Sequence, residues 1–265
     1  MFEAHFGFTQ TPFRKDLPHS LLFPSQGHQE LVARLRYAVE RAQIILVTGD
    51  AGAGKSTAIR AVCQSLSAAQ YRFLYVANPT MGARDLYRDL LREIQVEPAW
   101  TTTDSRRILR EAFVAERDQM GRIPVLVIDE AHALRSAMLD ELRMLHNFEM
   151  DARPVFALVL AGHPDLARTL ARKPHEALSQ RVALRYHVTG MAWDETRQYV
   201  THHLKVAGAD RPLFTEGAMK QVFQYSQGLP RKINSLALRS LETAFLRKHE
   251  LVDESTMEMV AAEYS

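Results

Sequence analysis

Four runs of consecutive apolar residues punctuate the first two thirds of the chain. They are Ile44-Ile45-Leu46-Val47, Phe73-Leu74-Tyr75-Val76-Ala77, Ile123-Pro124-Val125-Leu126-Val127-Ile128 and Val155-Phe156-Ala157-Leu158-Val159-Leu160. Such near-continuous apolar runs suit strands buried on both faces, as in a parallel sheet. They predict strands at 44–49, 73–78, 123–129 and 155–161, with a shorter fifth at 183–189. Leu31, Leu35 and Val39, spaced by four, predict a helix over 27–42. Helices at about 55–69, 82–95, 104–119, 136–150 and 164–172 supply the crossovers of a three-layer α/β/α core. After Gly190 the strands stop, and 193–207, 215–227, 230–248 and 255–263 all read as helices. That change marks a boundary near 190. The expected organisation is an arm and helix over 1–42 packing on the core, an α/β domain over 43–190 and a small helical domain over 191–265. Within residues 1–30, Phe6, Phe8, Phe13 and Phe23 need burial, so this stretch reads as an extended arm leaning on the domain that follows.

Composition narrows the picture only a little. Apolar residues make up 46% and charged residues 24% of the 265, ordinary values for a soluble globular protein. A net charge of +2 does not announce a nucleic-acid binder, so any such surface must be a local patch. The single cysteine, Cys63, excludes a disulfide framework and a Cys-rich metal site. The histidines show no H-E-x-x-H or paired metal spacing. No apolar run approaches the ~18–20 residues of a membrane span. The N-terminus lacks the basic and apolar regions of a signal peptide, so a cytoplasmic protein with no membrane segment is expected.

The run Gly49-Asp50-Ala51-Gly52-Ala53-Gly54-Lys55-Ser56 changes the picture most. It is the phosphate-binding pattern G-x-x-x-x-G-K-[ST], with a strand before it and a helix, beginning Thr57-Ala58-Ile59, after it. Its glycines allow a tight turn that points main-chain N–H groups at phosphate oxygens. The helix adds its positive dipole end. Residues 49–57 are therefore the expected nucleotide contacts, with Lys55 reaching the β- and γ-phosphates and Ser56 ligating Mg²⁺. The expected ligands are ATP and Mg²⁺.

Val125-Leu126-Val127-Ile128-Asp129-Glu130 ends an apolar strand in two carboxylates, on a strand that can lie beside the phosphate-loop strand. Asp129 is expected to organise Mg²⁺ and Glu130 to act as general base on the attacking water. Hydrolysis also needs positive charge near the transition state. Arg231, in Gly228-Leu229-Pro230-Arg231, opens a helix of the C-terminal domain and could reach back to the nucleotide. Arg181 directly precedes the fifth strand and could project into a neighbouring subunit as an arginine finger.

These elements in succession resemble the AAA+ ATPase superfamily, and within it the ExeA/TniB group of TnsC-related transposition regulators. The resemblance rests also on Phe6-Gly7-Phe8 with Pro12-Phe13, Asp129-Glu130-Ala131-His132, Glu141-Leu142-Arg143-Met144-Leu145-His146-Asn147-Phe148-Glu149, Ala161-Gly162-His163-Pro164 and Ser179-Gln180-Arg181. It implies that the helical domain is an AAA+ lid and that the N-terminal arm packs near the adenine. It implies a homo-oligomeric ring or filament with nucleotide at the interfaces, Arg181 as the finger and Arg231 as the lid sensor. The γ-phosphate sensor after the fourth strand would fall on His163. His132 reads as a neighbour of the site, since the helicase motif set is otherwise missing.

Arg84, Arg88 and Arg92 recur at spacing four and form one basic stripe. The stripe could track the phosphates of double-stranded DNA. Interleaved Asp85, Asp89 and Glu93 fit equally a solvated helix with internal ion pairs. Arg106, Arg107 and Arg110 form a second cluster. The leading expectation is an ATPase that assembles on DNA and recruits a transposase or target-selection protein. The alternative is an ExeA-like ATPase energising assembly of a secretion or pilus system. Some of those relatives carry a membrane segment and a wall-binding domain after the ATPase, which this sequence does not show by Ser265. A third expectation is a nucleotide-dependent binding module with negligible turnover.

Overall fold

A computed structural model describes residues 2–14, 17–77 and 79–263. Position 78, the expected end of the second strand, lies outside the described residues, as do 15 and 16 in the arm and both chain ends. The chain divides into two compact units.

Residues Glu30–Asp50 and Lys55–Val188 form the α/β unit. Its five strands are β1 Ile44–Gly49, β2 Tyr71–Val76, β3 Ile123–Ile128, β4 Ala157–Gly162 and β5 Val182–Val188. All pair in parallel, in the order β2-β3-β4-β1-β5. Every residue of β1 and β4 is buried, as apolar runs covered on both faces require. The expectation that the Asp129 strand lies beside the phosphate-loop strand is corrected: β4 lies between β1 and β3 and pairs with both. Leu74, Leu126, Leu158 and Leu160 of the sheet pack with Tyr87, Leu90, Phe113, Leu142 and Phe156 in one core.

The crossover helices include Lys55–Ser65, Ala83–Glu93, Thr102–Asp118, Ser136–His146 and Asp165–Leu170. The helix expected over 136–150 stops at His146. Arg110 explains the stop: its guanidinium donates to the carbonyls of Met144, Leu145 and Asn147, supplying donors that another turn would have provided. Glu149 and Met150 then turn through left-handed conformations (φ 48° and 55°). A short helix, Glu176–Arg181, precedes β5 and was not expected.

The other unit comprises Met1–Gln29, Ala51–Gly54 and Thr189–Ser265. Its helices are Trp193–Val206, Glu216–Ser226, Pro230–Leu246 and Glu254–Ala262. Thr215 and Asp253 cap two of them, their side chains accepting from the N–H groups of Ala218 and Thr256. The N-terminal stretch begins with a short helix, Phe2–Phe6, so it is not wholly extended. Phe6, Phe8 and Phe13 are buried with Val200, Leu204, Leu241 and Met257 in the core of this helical unit. The arm was expected to lean on the domain that follows it; these aromatic side chains instead find their apolar partners on the C-terminal helices.

Candidate active site

The C-terminal ends of β1, β3 and β4 converge on one edge of the sheet, where α/β proteins place their ligands. β1 delivers Gly49 and Asp50, β3 delivers Asp129 and Glu130, and β4 delivers His163. Lys55, only 6% exposed, curls back so that its ammonium donates to the carbonyls of Gly49 (2.8 Å) and Asp50 (3.0 Å). Gly52 and Gly54 adopt φ of +83° and +100°, which their lack of a Cβ permits. Ala51 and Gly52 form the turn that follows β1. A glycine-rich turn of this kind, running into a lysine, suits an anion. Thr57 follows in the first turn of the helix, half-buried.

Asp129 is buried, and three donors fix it. The Ser56 hydroxyl donates to Oδ2 at 2.7 Å, the Tyr75 hydroxyl to the same Oδ2 at 2.8 Å, and the Glu130 N–H to Oδ1 at 2.9 Å. Burial and the Asp129 carboxylate push the Tyr75 phenol up to about 12, so it remains a donor near neutral pH. A carboxylate and a hydroxyl in contact are hard oxygen donors of the kind Mg²⁺ takes. Glu130 has a left-handed backbone (φ 52°, ψ 32°) and an exposed side chain. Backbone strain of this kind in a non-glycine residue concentrates at functional sites.

His163 reaches the phosphate loop from β4. Its Nε2 lies 3.8 Å from Asp50 Oδ1, and its Nδ1 lies 3.1 Å from Asp165 Oδ2. That hydrogen bond, followed by the charge of Arg168, holds the Asp165 carboxyl below its usual range. The main-chain N–H of His163 donates to His132 Nδ1 at 3.2 Å, which leaves the other ring nitrogen of a neutral His132 to carry the proton. His132 thus ties the end of β4 to the turn after Glu130.

In the helical unit, the Arg231 N–H donates to the Gly52 carbonyl at 3.2 Å, and the Arg231 side chain is exposed. Arg181 donates to the Arg143 carbonyl at 3.0 Å and so rests on helix Ser136–His146 of its own chain. The structure therefore brings Lys55, Ser56, Asp129, Glu130 and His163 together, while Arg181 sits on a different helix end. Sequence reasoning missed Tyr75, which reads as one more aromatic in an apolar run. The signal is the register: Tyr75 pairs with Val127, and 127 and 129 share a face of the sheet.

A family model described as an AAA domain matches residues 37–170, half of the chain. The chain belongs to the AAA+ ATPase family. It is similar to general secretion pathway protein A of Aeromonas hydrophila, with 31% identity over 272 residues. That alignment covers 100% of this chain and 49% of that protein, so the chain spans about half the length of this curated relative. Among solved structures, Cdc6p from Pyrobaculum aerophilum superimposes with a TM-score of 0.69 at 16% identity, over 98% of this AAA+ chain and 70% of that one. The ORC1 protein of Aeropyrum pernix, in complex with DNA, gives 0.66 at 16% identity, over 95% and 67%. At these identities the likeness carries the fold: a parallel five-stranded sheet with flanking helices and a helical C-terminal region. No helix among the described residues is long and apolar enough to cross a membrane.

Proposed function

We propose that this AAA+ chain binds ATP with Mg²⁺ in the loop 49–57, hydrolyses it, and uses the bound triphosphate to assemble with further copies of itself on double-stranded DNA. The observation that carries the reading is the 2.7 Å contact of Ser56 with Asp129, which joins the phosphate loop to the acidic end of β3. Lys55 exchanges its two carbonyl partners for β- and γ-phosphate oxygens, an ammonium moving from a weak acceptor set to a charged one. Ser56 and Asp129 would hold Mg²⁺, which when bound polarises the phosphoryl oxygens. Glu130 accepts the proton of the attacking water. His163 bonds the γ-phosphate from the Asp50 side. Arg181 acts in trans on a neighbouring copy's nucleotide, and Arg231 reports nucleotide state to the helical lid.

Support for DNA comes from the stripe on helix Ala83–Glu93. Arg84 and Arg92 are exposed, Arg88 is half-buried, and none of the three has an ion-pair or hydrogen-bond partner among the described residues. The internal ion pairs of a merely solvated helix are thus not formed by these arginines, and their charge is available to phosphates. In this reading the assembly regulates DNA transposition by recruiting a transposase or target-selection protein in the cytoplasm. A second reading, assembly of a secretion or pilus system, is favoured by the identity to general secretion pathway protein A along the whole chain. Sedimentation and imaging with a slowly hydrolysed ATP analogue, with and without duplex DNA, separate the two. Ordered rings or filaments that need both components support the DNA reading. Assembly and turnover indifferent to DNA would transfer the argument to the secretion reading.

A further inference from the structure

We propose that the Tyr75 hydroxyl is a latch on the metal site, competing with a divalent cation's hydration shell for Asp129 Oδ2 and released outward when the cation is loaded. The inference rests on the ATPase reading above.

An ionised carboxylate offers about four lone-pair positions, two on each oxygen. On Asp129 the Glu130 N–H uses one position on Oδ1, while Ser56 and Tyr75 both donate to Oδ2. A cation shared by the Ser56 oxygen and Asp129 must sit beside Oδ2, because that is the oxygen to which Ser56 is joined. Oδ2 is also the oxygen that Tyr75 saturates. One donor has to yield.

The three donors differ in freedom. The Glu130 N–H is main chain and cannot leave without moving the turn. Ser56 lies in the first turn of helix Lys55–Ser65, and its oxygen is itself a ligand of the proposed cation. Tyr75 lies on β2, an edge strand, and is 49% exposed. Its ring can rotate toward solvent at the cost of one hydrogen bond, which water replaces. Loading of the cation is thereby converted into a change at the exposed edge of the sheet.

Two measurements test the latch. Manganese titration of the ADP-bound protein, read as the electron paramagnetic resonance of free Mn²⁺, compares wild type with Tyr75→Phe. Losing a competing hydrogen bond to a charged group should tighten Mn²⁺ binding by about tenfold. Equal or weaker binding by the variant overturns the proposal, because a hydroxyl that preorganised Asp129 would give that result. In the second, 3-fluorotyrosine is incorporated and followed by fluorine NMR, with Tyr75→Phe identifying the one resonance among eight tyrosines. The Tyr75 resonance should shift with ADP and Mg²⁺ together and remain in place with ADP and a chelator. Cation binding with an unmoved Tyr75 resonance refutes the latch alone. Failure of wild type to bind ADP at all removes the ATPase reading, and the latch with it.

Discussion

The main-chain N–H of Arg231 and the carbonyl of Gly52, both in the helical unit, are joined at 3.2 Å. Two local features make this possible. Gly228, at φ +71°, lets Met191 approach so closely that a Cβ would lie 2.0 Å from its carbonyl oxygen. Pro230 then opens helix Pro230–Leu246, leaving the Arg231 N–H as a first-turn donor with no partner inside the helix. Gly52 is equally constrained, since a Cβ there would lie 2.4 Å from the Arg231 Cβ. Gly52→Ala should therefore cost about 1–3 kcal/mol of stability and weaken nucleotide binding. Arg231→Ala keeps the main-chain bond and should change stability by less than about 0.5 kcal/mol while slowing ATP turnover. Thermal melts and turnover assays on the two variants check this; equal melting losses in both would contradict it.

The unpaired arginines of helix Ala83–Glu93 give a salt-dependence prediction. Each phosphate contact contributes a slope of about −0.9 to log affinity against log salt on duplex DNA. Replacing Arg84, Arg88 and Arg92 together by Ala should reduce the slope by about 2 to 3 and leave ATP binding unaltered. Fluorescence anisotropy of labelled duplex over a range of salt reads both quantities. An unchanged slope removes the stripe from the DNA surface.

His203 supplies a pH dependence. It is 3% exposed on helix Trp193–Val206, stacked near Tyr199 (4.3 Å) and Phe13 (5.7 Å), and neither ring nitrogen has a partner among the described residues. Burial, with a smaller contribution from His202, lowers its pKa to about 4. A base whose folded pKa lies below its unfolded value favours folding only while it stays neutral. Its stabilisation is full above about pH 6.5 and is lost as pH falls toward 4. Between pH 6.5 and 5, before most carboxylates titrate, the loss should be about 2 kcal/mol. Urea midpoints across that window should fall for wild type and stay nearly flat for His203→Phe. Parallel slopes in the two proteins would contradict the assignment.

Much of this architecture is legible in the sequence where the relevant physics is local. β1 and β4 are buried along their whole length, so their apolar runs stand out; β5 alternates in burial and reads only as a shorter, fainter strand. The phosphate loop is legible because glycines, lysine and serine are needed within a few residues of one another. What the sequence conceals is tertiary. Nothing in the run Ile123–Ile128 says that β4 will separate it from β1. Tyr75 looks like core until the β2–β3 register sets it on the Asp129 face. The end of helix Ser136–His146 is decided by Arg110, 34 to 37 residues away from the carbonyls it binds, and the N-terminal phenylalanines by partners beyond residue 190. Glu141 is another example, since the Tyr87 hydroxyl and Arg106 converge on its carboxylate from two other helices.

The central claim is that the carboxylates at the end of β3 make this AAA+ chain a hydrolase. Rapid-quench measurement of ATP turnover and of ATP retained, on wild type and Glu130→Gln side by side, tests it most directly. Loss of a positioned general base should slow turnover by about 10²- to 10⁴-fold, and the variant should retain bound, unhydrolysed ATP. Turnover by Glu130→Gln at the wild-type rate would contradict the account.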